Sequence, residues 1–195
     1  MLKGLLAALL AGLLLSGWSY VSWEVIGLHQ PALQTVAHES VVFETLGANL
    51  ENSGAYFLPR RPSTADMNSR QKATVLRDWK NRRKEGPGVF LFYNREGTDP
   101  DDPTRYIRDL AINILACLLV VVVLVTLQQG LPGPMGRIML VMLLGALTTV
   151  PHWMSMIWFG APLEYAIVAS LDVLIGWFLA SIIIAQMVKP FRHVF

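Results

Sequence analysis

The sequence predicts an integral membrane protein, mainly α: a four-transmembrane-helix bundle with a small α+β domain inserted between helices 1 and 2. Three observations predict it. Of the 195 residues, 53% are hydrophobic and only 15% are charged, where a soluble domain carries about 25%; the mean hydropathy is +0.45. Four apolar runs approach or exceed the roughly 20 residues that cross a bilayer as a helix. Charge is segregated, because segment 24–106 holds 11 of the 14 acidic and 11 of the 16 basic residues. The net charge of +2 is too small to imply a nucleic-acid partner. The single cysteine, Cys117, excludes an internal disulfide and any paired-cysteine metal site.

The first helix is expected at 4–23, about 30 Å of apolar and small residues. Lys3 precedes it, and Trp18, Tyr20 and Trp23 close it with the aromatic residues that membrane interfaces favour. A cleaved signal peptide is the rival reading. Gly17-Trp18-Ser19 is a poor cleavage site, since apolar sequence continues beyond it, so the helix is expected to be retained. Gly12, Ser16 and Ser19 fall on one face, which can approach another helix closely.

Segment 24–106 reads α-β-α-β. Helices are expected at 39–50 and 69–84, the second with Ala73, Leu76, Trp79 and Arg83 on one side and charge elsewhere. Strands are expected at 55–58, stopped by Pro59, and at 89–93, after the break at Gly86-Pro87-Gly88. A domain this small buries little core alone, so it is expected to lean on the bundle or on a partner.

Residues 107–188 carry three further spans, at about 110–127, 138–159 and 163–188, and 189–195 is a short basic tail. The short connections at 128–136 and 160–162 make neighbouring spans antiparallel. Lys3, Arg137, Lys189 and Arg192 flank one side of the bundle, and Arg95, Arg105 and Arg108 flank the other. That bias puts both termini in the cytoplasm and the 24–106 domain outside.

Asp172 is the most informative residue. It lies about 14 Å into the fourth span, where a carboxylate costs about 2.5–3.5 kcal/mol unless it is paired, protonated or turned into the bundle. Tyr165, Ala169, Gly176 and Ala180 share its face, which points it at another helix. His152, just after the helix-kinking Pro151, sits at matching depth among Gly145, Thr148, Thr149 and Ser155. The two are expected to meet by a hydrogen bond, with Asn113 and Tyr20 (or Ser19) as candidates for the same polar layer. Glu24 and His29 are weaker candidates at the interface. With His38 and Glu39 they could bind a metal, but at spacings that fit no metal motif.

Two readings of the layer stand. It is a structural clasp in a non-enzymatic accessory, assembly or interaction subunit, with a protein partner or a second copy on the outer domain. Or it is a site for a quinone, haem or metal near the outer face, walled by Trp153, Trp158 and Trp177. A membrane enzyme using His152 as base is a third reading, and it lacks a nucleophile or metal set. No catalytic residue is assigned. The basic stretch Arg70, Lys72, Arg77, Lys80, Arg82, Arg83 and Lys84 would bind anionic lipid headgroups if it were cytoplasmic; if it is external, it is expected to be a solvated face or a docking surface.

Four stretches carry a resemblance: Trp18-Ser19-Tyr20-Val21-Ser22-Trp23 with His29, Gly54-Ala55-Tyr56-Phe57-Leu58-Pro59, Gly86-Pro87 before the second strand, and Leu171-Asp172-Val173-Leu174-Ile175-Gly176-Trp177-Phe178. Together the chain resembles a family of small bacterial four-helix inner-membrane proteins with a polar domain after the first helix. The resemblance implies a bacterial inner membrane and a four-helix topology, and no particular chemistry.

Overall fold

The computed structural model describes residues 2–127 and 133–188. Part of the connection expected at 128–136 and all of the tail at 189–195 lie outside them. The chain forms two compact units: the described residues of Met1–Gln34 and Asp101–Phe195 form one, and Thr35–Pro100 the other.

In the first unit α1 spans Leu2–Tyr20 and runs on into a π-type turn at Val21–Val25. In the second, α2 spans Glu39–Asn49, β1 Gly54–Leu58, α3 Ser69–Glu85 and β2 Val89–Tyr93. The first unit resumes with α4 at Thr104–Thr126, α5 at Gly133–Leu147, α6 at Val150–Phe159 and α7 at Leu163–Met187. Four helices are long and apolar enough to cross a membrane: Leu2–Val25, Thr104–Thr126, Gly133–Phe159 and Leu163–Met187.

α1 is the centre of the first unit and packs on both α4 and α7. Its small residues permit this. A Cβ on Gly12 would fall 2.7 Å from the Ile114 backbone, so only glycine lets α4 come so near. On α7, a Cβ on Gly176 would meet Leu15 at 3.0 Å and Trp18 at 3.1 Å. α5 packs on the other side of α7, where Gly145 leaves room for Trp177. Ala7, Ala8, Ala11 and Leu15 of α1, Cys117, Val121 and Leu124 of α4, Val141 of α5, and Ala180 and Ile184 of α7 form the core. At one end Arg137 is buried, and its guanidinium donates to the Val188 carbonyl at 2.8 Å, closing the C-terminus of α7.

The expected third span is two helices rather than one. Pro151 has no N–H to continue the ladder, and the chain tightens before it: Thr148, Thr149 and His152 donate their N–H groups three residues back. The Thr148 and Thr149 hydroxyls donate to the Gly145 and Ala146 carbonyls at 2.6 and 2.8 Å, so carbonyls next to the break keep partners. The second helix of the bundle also begins earlier than the apolar run, at Thr104, taking Arg105, Arg108 and Asp109 into α4.

In the second unit, β1 and β2 pair antiparallel, from Gly54 opposite Tyr93 to Leu58 opposite Val89. A capping box between Asn68 and Gln71 starts α3, and Gly86 at φ +70° follows its last residue. The Trp79 indole donates to the Pro59 carbonyl at 3.1 Å, and the Arg83 guanidinium lies over Phe57 and Trp79. No residue of Thr35–Pro100 is buried.

Candidate functional site

The site is built on α7. Ala169, Gly176 and Ala180 flank Asp172 with small, buried residues, which lets α1 pass close beside it. That approach delivers Trp18. Its indole N–H donates to Asp172 Oδ1 at 2.7 Å and to the Asp172 backbone carbonyl at 3.0 Å.

The second partner comes from beyond α1. At the π-type turn the Ile26 N–H reaches back to the Val21 carbonyl and the Leu28 N–H to the Ser22 carbonyl. Gly27, at φ +64°, reverses the chain in a conformation side chains disfavour. A short 3-10 turn at Gln30–Ala32 follows. The reversal folds His29 back onto the bundle, with Nε2 3.0 Å from Asp172 Oδ2. Trp23, in the π-type turn three residues beyond the end of α1, stacks on the imidazole at 3.9 Å with the planes 10° apart. The His29 side chain is 4% exposed and that of Asp172 13%.

With Asp172 as a carboxylate, which can only accept, Nε2 is the donor of this contact. Each Asp172 oxygen then holds one donor, which is the condition for a carboxylate among apolar helices. His29 Nδ1 is buried without a partner among the described residues, and so is Ser22 Oγ.

The expected hydrogen bond between Asp172 and His152 is not formed. No hydrogen bond joins His152 to Asp172 or to His29. The depth argument carried the helical phase across the kink expected at Pro151. The break at Thr148 and Thr149 resets the helical phase before His152, and Ser155 bonds the His152 carbonyl at 2.6 Å.

Tyr20 also stands outside the layer. Two residues from Trp18 is about 200° around a helix, so Tyr20 faces the other way, packs edge-on against Tyr106 at 5.8 Å and is half exposed. Asn113 belongs to a separate polar contact: its amide donates to Ser16 Oγ and to Asp109 Oδ2, both at 3.0 Å, tying α1 to α4. Glu24 pairs with Arg105 at 3.1 Å at the partly exposed end of the same two helices. Among the described residues no group of three His, Cys, Asp or Glu side chains is arranged to hold a metal ion.

Sequence reasoning thus named Asp172 and His29 but not their union, and read Trp18 only as an interfacial aromatic. Two signals pointed to the pairing. Gly27, four residues after Trp23 closes the apolar run, marks a chain reversal, and an indole N–H inside an apolar face needs an acceptor. The chain matches no family model, no curated protein and no solved structure.

Proposed function

We propose that this chain is a multi-pass protein of the bacterial inner membrane, with cytoplasmic termini and the Thr35–Pro100 unit on the periplasmic side, and that it serves as a non-enzymatic accessory or assembly subunit. The observation that carries this reading is the absence of any buried residue from Thr35 to Pro100. An α+β unit of this size gains its stability from burial, so by itself it is incomplete, and a partner protein's surface is what this reading supplies to complete it. The His29–Asp172–Trp18 clasp supports the same reading. With both carboxylate oxygens already bonded, the polar layer works as an internal fastening. A quinone or haem there would first have to displace the His29 ring from Trp23 and Asp172.

The test is the intact mass of the assembly purified in mild detergent from its native membrane. A mass well above the 21.7 kDa of one chain, with other polypeptides present, supports the subunit reading, and the co-purified chain identifies the complex. A lone chain carrying an extra mass of small-molecule size overturns it in favour of a ligand-binding protein.

A further inference from the structure

Trp79 of α3 gathers two arginines from different segments. Arg83, on α3 itself, lies over the indole at 5.7 Å and over Phe57 at 5.0 Å. Arg61, from the segment between β1 and α3, lies over the same indole at 5.8 Å. All three distances fall within the roughly 6 Å of a cation–π contact. The indole is fixed by its hydrogen bond to Pro59, so the ring is a rigid platform.

Neither guanidinium is paired with a carboxylate among the described residues. The helix dipole accounts for Arg82, Arg83 and Lys84 in the last turn of α3. It does not account for Arg61, which arrives from outside the helix to join a like charge. Two guanidinium groups gathered over one indole bring together the forked donors that take phosphate oxygens in pairs. Only Asp101, Asp102 and Pro103 separate Pro100, the last residue of this unit, from the first residue of α4, so that end of the unit is tethered near the headgroups of any bilayer that α4 enters.

We propose that Arg61 and Arg83, gathered on Trp79, form a site for the phosphate of an anionic phospholipid headgroup. The inference rests on the membrane-spanning part of the function proposed above. It is independent of which protein completes the unit.

The experiment uses the full chain in mild nonionic detergent, offered equal amounts of phosphatidylglycerol and phosphatidylcholine, with retained lipid read by native mass spectrometry. Phosphatidylglycerol is expected to be retained in preference. Arg61→Lys with Arg83→Lys keeps the charge and removes the planar forks, and is expected to lower that retention about tenfold. Arg70→Lys on the same helix is expected to leave it unchanged, and matching thermal midpoints show that all variants are folded. Equal retention of the two lipids overturns the proposal, and so does a double variant that binds like the parent. Displacement of the lipid by millimolar inorganic phosphate overturns the lipid assignment in favour of a soluble phosphate. An acidic protein lost from the double variant, with no lipid preference in the parent, overturns it in favour of a protein ligand. Alkaline carbonate washing of native membranes is scored separately: release of the chain fails the membrane reading, whereas retention without lipid preference fails only the arginine site.

Discussion

Trp18 and Asp172, 154 residues apart, share one proton in two directions: the indole N–H lies 2.7 Å from the carboxylate and 3.0 Å from the carbonyl of the same residue. One donor therefore fixes both the rotamer of Asp172 and the register of α7 against α1. His29 takes the remaining oxygen. The pair and its histidine act as a unit, which is what a mutant cycle measures.

Asp172→Ala leaves the His29 donor without its acceptor and Trp18 with only the residue-172 carbonyl, and is expected to lower stability in detergent by about 2 kcal/mol. His29→Ala and Asp172→Ala should be coupled by about 0.5–1.5 kcal/mol in a double-mutant cycle. His152→Ala should fall within about 0.5 kcal/mol of the parent. Thermal unfolding followed by circular dichroism reads all of these. A His152 effect as large as that of His29 would mean that His152 is the true partner.

The glycines of the helices divide by what a methyl group would meet. At Gly145 it would fall 2.4 Å from Trp177, and at Gly12 2.7 Å from the Ile114 backbone; alanine at either is expected to cost about 1–3 kcal/mol through overpacking. Nothing lies within 4 Å at Gly17, so Gly17→Ala should be neutral or stabilise by up to about 1 kcal/mol. The three melting temperatures, ranked, decide whether the close approaches are real.

Arg137 donates to Val188 from a buried position. Removing the guanidinium orphans a carbonyl at the end of α7, where the helix dipole favours a cation. Arg137→Gln is expected to cost about 1–2 kcal/mol and to speed amide hydrogen exchange in the last turn of α7 selectively. Uniform exchange across α7 in that variant would argue against the cap.

Just before α4, the Thr104 hydroxyl and then its backbone N–H donate to the Asp102 carboxylate, and these bonds hold its pKa below the usual aspartate value. The sign follows: the contacts help the folded chain above the ordinary carboxylate range and are lost as pH falls through the lowered value. Thr104→Val removes the larger cause, and the Asp102 carboxyl should then titrate closer to the ordinary value by carbon-detected NMR. An unchanged titration would show that the hydroxyl does not matter.

Element by element, the sequence carried most of the fold because periodicity and turn chemistry are local. Val89–Tyr93 was legible as a strand from its unbroken apolar and aromatic run, and α3 from a period set by Ala73, Leu76, Trp79 and Arg83 and stopped by Gly86-Pro87-Gly88. The third span was legible as a length but not as two helices, because the tightening at Thr148 and Thr149 depends on where each hydroxyl finds a carbonyl. The site was half legible. Asp172 announced itself as a carboxylate in an apolar run. Its partners could not be ranked by depth alone, since His29 reaches it only after a chain reversal at Gly27, and such a reversal has no period to read.

The His29–Asp172 contact joins residues 143 apart, and that distance has a temporal side. A chain is made from its N-terminus, so Trp18 and His29 exist long before Asp172 does. The two donors must wait, with their N–H groups facing water or lipid, while the polar unit, α4, α5 and α6 are added. Only the arrival of the last helix brings the acceptor. The clasp therefore closes only at the end of synthesis: a truncated chain lacking α7 keeps the contacts of α1 with α4 but leaves the Trp18 indole and His29 Nε2 without the acceptors that the finished chain supplies.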